Sequence, residues 1–229
     1  MPANQAHPRH RKPMARAMFT AAERKELLKK LIQKEIELKP LVPNNKIYIH
    51  LEEGRFKGKE FVVKRISKSH ELHKNIFVSL MAKRRLFNEL NKIWNSRKKA
   101  GGKTLYRARH PDIAIVKKEF IVMEKIKGIP ISHLEKKDKT REVLQAYKLL
   151  IDDLRFAYKK IDQKISHEGK NYMITDDFVH FEGKSKDRNA DDFYFSGIVD
   201  GKPEFVIPDI TAEVDYEKYM AGKAKREKR

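Results

Sequence analysis

Glu119-Phe-Ile-Val-Met-Glu-Lys-Ile-Lys-Gly128 runs from a strand into a linker within a single short segment. Phe120, Ile121, Val122 and Met123 make an unbroken apolar run, the pattern of a strand covered on both faces. Glu124 ends the run with a carboxylate, and Lys125-Ile-Lys127 leads to glycine. A segment of this kind turns a central strand into the connection between two packed units. Upstream, Phe61-Val-Val-Lys-Arg-Ile66 sets Lys64 inside another apolar strand. An ammonium group in such surroundings is costly unless it meets an anion. The two segments together imply a cleft that handles phosphate.

The rest of the composition bounds what such a cleft serves. A chain of 229 residues suffices for one large domain or two small lobes sharing a cleft. Its 40% hydrophobic content allows a packed core, and its 37% charged content requires a heavily solvated surface. No run reaches the length of a membrane span. The first residues, broken by Pro2, Pro8 and Pro13, lack the apolar core of a secretory signal. The absence of cysteine excludes disulfides, thiolate metal sites and cysteine nucleophiles, and fits a cytoplasmic location. The formal charge of +20 implies anionic partners: a nucleotide, a nucleic acid or another anionic surface. Residues 1–20 and 221–229 each carry +4 of it, which leaves +12 in the body. A lysine-rich solvated surface is the alternative source of that excess. Nothing in the sequence indicates an oligomeric state.

Residues 1–19 are expected to form a disordered basic arm. Thr20-Ala-Ala-Glu23 has the form of a capping box, followed by an amphipathic helix through Leu27, Leu28, Leu31, Ile32 and Ile36. Strands are expected over 46–51 and 60–66, a helix over 70–98 halted by Gly101-Gly102, and strands over 113–116 and 119–124. The periodicity from Val143 to Ile165 predicts the best helix of the chain, over 141–165, with Asp152-Asp153 on its solvated face. Phe193–Phe195 and Phe205–Ile207 flank Asp200-Gly201 as a hairpin. The expected division is an arm (1–19), an N-terminal helix with a small lobe (20–124), a reduced large lobe (125–220) and a basic tail (221–229).

This order of strands, helix, strand, linker, helix and hairpin resembles the protein kinase-like superfamily over roughly residues 46–212. The resemblance implies a two-lobed α+β fold with a small β-rich N-lobe and a reduced, mainly helical C-lobe. Lys64 matches the strand lysine that holds nucleotide phosphates, with Glu89, or else Glu71, as the helix carboxylate that orients it. The alternative sets Lys64 on a solvated edge strand and Glu89 on an exposed helix face. Glu124, Lys125 and Ile126 match the linker whose backbone bonds the adenine edge. Asp187-Arg-Asn-Ala-Asp-Asp192-Phe193 resembles a catalytic loop, in which Asp187 would orient or deprotonate the acceptor hydroxyl. Asp176 and Asp177 compete for that role. Asp192 and Asp209 match the family's two metal-binding positions and would bridge Mg²⁺ to ATP.

The departures are specific. Gly54 and Gly58 do not make a glycine-rich phosphate loop, and no His-Arg pair precedes Asp187. Ile210-Thr211 stands where Phe-Gly is usual, and little chain follows for peptide-binding helices. These differences point away from a conventional protein kinase. They favour a compact small-molecule or sugar kinase-like protein, or a catalytically inactive scaffold of the same fold. A basic nucleic-acid- or ribosome-associated binding protein is the competing class. Its carriers would be the basic termini together with Lys83, Arg84, Arg85, Lys92, Arg97, Lys98, Lys99 and Lys103.

Overall fold

The threonine at position 20 starts the structure as its capping box predicts. Its hydroxyl accepts the Glu23 amide N–H at 3.2 Å, and the Glu23 carboxylate accepts the Thr20 N–H at 2.7 Å. Helix α1 (Ala21–Ile32) follows, burying Leu27 and Leu31. The computed structural model describes residues 17–41, 49–66, 76–135, 137–176, 193–208, 211–217 and 219–221. The expected arm up to residue 16 and the tail from residue 222 lie outside that set.

Five strands form the first sheet: β1 (Lys39–Pro40), β2 (Ile49–Phe56), β3 (Lys59–Ile66), β5 (Ile113–Val116) and β6 (Phe120–Glu124), in the order β1-β2-β3-β6-β5. All neighbours are antiparallel. Alternation along β3 sends Phe61 and Val63 into a core with Phe19, Leu27 and Leu31, so α1 covers that face. A Cβ at Gly54 would stand 2.6 Å from the Phe61 ring, so glycine lets that ring lie on β2.

Helix α2 (Ile76–Lys99) enters the chain between β3 and β5. It ends as Gly101-Gly102 predicts: the Gly102 amide reaches Arg97 O at 2.9 Å, and Gly101 sits at φ 77°. The sequence division assigned this helix to the small lobe. It packs instead on α3 (Arg141–Lys160), β8 (Lys164–His167) and β12 (Thr211–Asp215). Leu86 and Leu90 join Tyr147, Leu150, Leu154, Phe193 and Phe205 in the largest core, and Val78 and Ala82 meet Ile165 and Ile174 in a smaller one.

The C-terminal half corrects the expectation of a mainly helical lobe. Besides α3, the 3-10 turn Ile131–His133 and a few helical residues at 216–217 and 219–221, the regular structure among its described residues is strand. One sheet runs β4 (Arg107–Arg109), β11 (Lys202–Val206), β10 (Tyr194–Val199), β7 (Ile129–Pro130). Another runs β12, β9 (Lys170–Asp176), β8. The cause is local: Glu168-Gly169 and Asp200-Gly201 all take positive φ (48° and 73°, 50° and 69°), the conformation of tight hairpin turns. Helix α3 also stops five residues before the predicted end at Ile165. Ile161 is extended at ψ 153°, and the Asp162 carboxylate accepts the Lys164 N–H at 3.0 Å. Ile165 keeps its buried place from a strand.

Two residues expected on solvated surfaces are interior. Asp153 is 3% exposed, whereas Asp152 does face solvent. Lys83, 6% exposed, donates to the Pro208 carbonyl at 2.7 Å.

Candidate nucleotide site

Lys64 stands on an interior strand, with Leu51 of β2 and Ile121 of β6 as its cross-strand neighbours. The edge-strand alternative is therefore excluded. The lysine is half-buried and points to the sheet face opposite the one α1 covers. Glu89 does not reach it: the Glu89 carboxylate accepts from Lys92 at 2.7 Å, one turn along α2. Because α2 turns its apolar side to α3, Glu89 is oriented by its own helix. Glu71 lies outside the described residues.

At the end of β6, the predicted linker is braced by charge. Arg109 grips the Glu124 carboxylate with two bonds, at 2.7 and 2.9 Å, and the Asp112 N–H adds a third at 3.0 Å. Burial alone would raise the Glu124 pKa, but the Arg109 bonds and the Asp112 amide outweigh it and hold the carboxyl below its usual range. The Glu124 N–H itself donates to Asp112 O at 2.8 Å, so this amide is already committed within the protein. Lys125 pairs with Glu53 at 2.6 Å, and Ile126 is half-buried. Arg109 belongs to β4 of the second sheet, so its grip on Glu124 of β6 ties the two sheets together, and within its own sheet it also approaches Glu204 of β11 at 3.4 Å. Gly128 closes the linker against β10, where a Cβ would come 2.9 Å from Phe195 O.

Asp187, Asp192 and Asp209 lie outside the described residues, as does Asp177 and the side chain of Asp176. Their described neighbours are informative. Tyr194 opposes Val206 across the β10–β11 hairpin, so Phe193 and Ile207 leave it at one end. Both are fully buried. Phe193 O accepts from Ile131 N, Ile207 N donates to Arg109 O, each at 2.9 Å, and Lys83 holds Pro208. Among the described residues, no three His, Asp or Glu side chains converge as a metal-binding group.

A cavity of about 440 Å³ opens beside the linker, lined by Glu35, Glu37, Glu53, Glu60, Lys39, Arg55 and Lys125 among others. Lys64 does not line it. With four carboxylates against three cations, it offers a triphosphate no net attraction.

Sequence reasoning missed the polar cluster that joins α2 to α3. Trp94 Nε1 donates to the Tyr106 hydroxyl at 3.0 Å, and that hydroxyl donates to Asp153 Oδ2 at 2.5 Å. Arg97 closes the cluster with a bidentate bond to Asp153. Burial, then the Asp153 contact, pushes the Tyr106 pKa far up, and the Asp153 bonds raise that of Arg97. The signal was present on the helical wheel, since Asp153 shares the face of Ala146, Leu150 and Ala157.

No protein-family model matches this chain, and no curated protein does. Among solved structures, it is similar to that of the streptomycin–ATP–APH(2″)-IIa ternary complex, at 13% identity and a TM-score of 0.30, over 86% of this chain and 72% of that one. No helix among the described residues is long and apolar enough to cross a membrane.

Proposed function

We propose that the chain is a kinase-like nucleotide-binding protein, and that it holds ATP between Lys64 and the end of the β10–β11 hairpin. The observation that carries this reading is the hairpin register. It brings the chain neighbours of Asp192 and Asp209, namely Phe193 and Pro208, to one end of a two-stranded hairpin. The carboxylates of Asp192 and Asp209 would hold Mg²⁺, which supplies charge neutralisation for the triphosphate. Lys64, set on an interior strand and half-buried, offers the ammonium for the phosphates. Asp187 would accept the acceptor's hydroxyl proton in an active enzyme. The braced linker, Glu124 to Ile126, fits the adenine edge best through the backbone beyond the Glu124 amide, which is occupied.

A crystal structure with a non-hydrolysable ATP analogue and Mg²⁺ tests the site. The reading expects the phosphates at hydrogen-bond distance from Lys64 Nζ and the metal between Asp192 and Asp209. An analogue bound elsewhere, or no density at saturating concentration, refutes it. Asp209→Asn then separates the two forms of the proposal. A phosphotransferase loses turnover, whereas a scaffold keeps its partner binding.

A further inference from the structure

We infer that the solvent face of α2 docks on double-helical RNA. The structure first removes three cations from the basic cluster around this helix. Lys83 is buried on Pro208 O, Arg85 donates to the carbonyls of Asp162 and Lys164 at 2.7 Å each, and Arg97 is bound to Asp153. What remains outside from Arg84 onward is a stripe of Arg84, Asn88, Asn91, Lys92, Asn95, Lys98 and Lys99, all exposed. Their spacing of three and four residues lines them up on one face. From Arg84 to Lys98 the stripe extends about 21 Å, at about 1.5 Å of rise per residue.

Three properties of this stripe point to one partner. It contains no carboxylate; Glu89, the lone acid of α2, is turned aside and bound to Lys92. The outer face of α3 instead mixes signs through Arg141, Glu142, Lys148, Asp152 and Lys159, as an ordinary solvated face does. Second, asparagine weakens a helix interior relative to alanine, yet Asn88, Asn91 and Asn95 repeat along the stripe. Their amides make no hydrogen bond to any described residue. Third, from Arg84 onward the stripe carries no aromatic side chain to stack on unpaired bases, and Phe77, seven residues before it on the same face, lies against the His167 ring. Cations suit phosphates, and neutral amides that both donate and accept suit a group that does likewise. The ribose 2′-hydroxyl is such a group; the phosphates of DNA only accept. A duplex RNA backbone therefore matches both halves of the stripe.

Fluorescence anisotropy of the full chain, using an RNA duplex and a DNA duplex of one sequence, tests this. Arg84→Ala/Lys98→Ala/Lys99→Ala is expected to make the slope of log K against log salt shallower by about 2.7. Between about 50 and about 200 mM salt, native binding should then fall roughly 40-fold more than the variant's. Asn88→Ala/Asn91→Ala/Asn95→Ala should erase the preference for RNA over DNA while leaving the salt slope unchanged. Lys25→Ala/Lys29→Ala on α1 should leave the preference and nearly all of the affinity in place. Circular dichroism confirms that each variant is folded, which these exposed positions should allow. Equal affinity for RNA and DNA duplexes overturns the inference. So does tighter binding of single-stranded RNA, or an α1 variant as damaging as the α2 cation variant.

Discussion

Asp153 shows how one side chain changes meaning when its neighbours are known. Read along α3 it is half of an acidic pair; in the fold it is the acceptor at the centre of Trp94, Arg97 and Tyr106. Removing one member of a buried charged pair strands the others, at a cost of about 3–5 kcal/mol. Arg97 keeps a third of its side chain in solvent, so the lower end of that range applies to Asp153→Ala in urea unfolding. Tyr106→Phe loses the link but strands less and should cost less. Alkali reports on the same cluster. The tyrosine pKa is raised on folding, so its stabilisation is complete below the ordinary value of 10.0 and is lost as pH climbs beyond it. Native protein should therefore lose stability above that pH more steeply than Tyr106→Phe, as followed by thermal melts across the alkaline range. Identical alkaline profiles would remove Tyr106 from the account.

Single elements carry predictions of their own. The Thr20 amide and then Lys59 lower the Glu23 pKa from 4.5 to about 2. A lowered carboxylate pKa stabilises the fold above its unfolded value, and that contribution fades as pH falls from 4.5 towards about 2. Glu23→Gln should flatten this part of the acid limb, and Thr20→Ala should cost about 1 kcal/mol through the lost cap. The linker makes a sharper demand. Gly128→Ala places a methyl group 2.9 Å from a backbone oxygen of β10, so the strand or the linker must shift. A melting temperature unchanged by that substitution would show that the linker does not rest on β10. Local signals made many of these elements legible: the Thr20 box, the glycine stop of α2, the apolar runs of β5 and β6, and the Asp-Gly turn. What stayed hidden was non-local. Arg107-Ala-Arg109 is too short and too charged to read as a strand, and becomes one only by lying parallel to β11. The end of α3 was misplaced because Ile161 and Ile165 keep helical spacing while the chain has already turned extended.

For the whole molecule, the order of elements was readable and their partnership was not. Periodicity finds a helix between β3 and β5, but cannot say that its apolar side belongs to α3 and leaves the first sheet to α1. That choice decides the fate of the site residues. It sends Glu89 to Lys92, fixes Lys83 beneath Pro208, and turns Arg84 and the asparagines outward. The charge of +20 likewise divides only in three dimensions, into cations that brace the interior and cations that face solvent. Calorimetric titration of Mg·ATP into the native chain and into Lys64→Ala tests the proposed nucleotide cleft around Lys64. Saturable, one-to-one binding is expected, weakening about tenfold or more without the ammonium, the loss of about 1.4 kcal/mol or more that a charged phosphate contact carries. Native protein that takes up no ATP, or a Lys64→Ala variant that binds it as tightly, would contradict the claim.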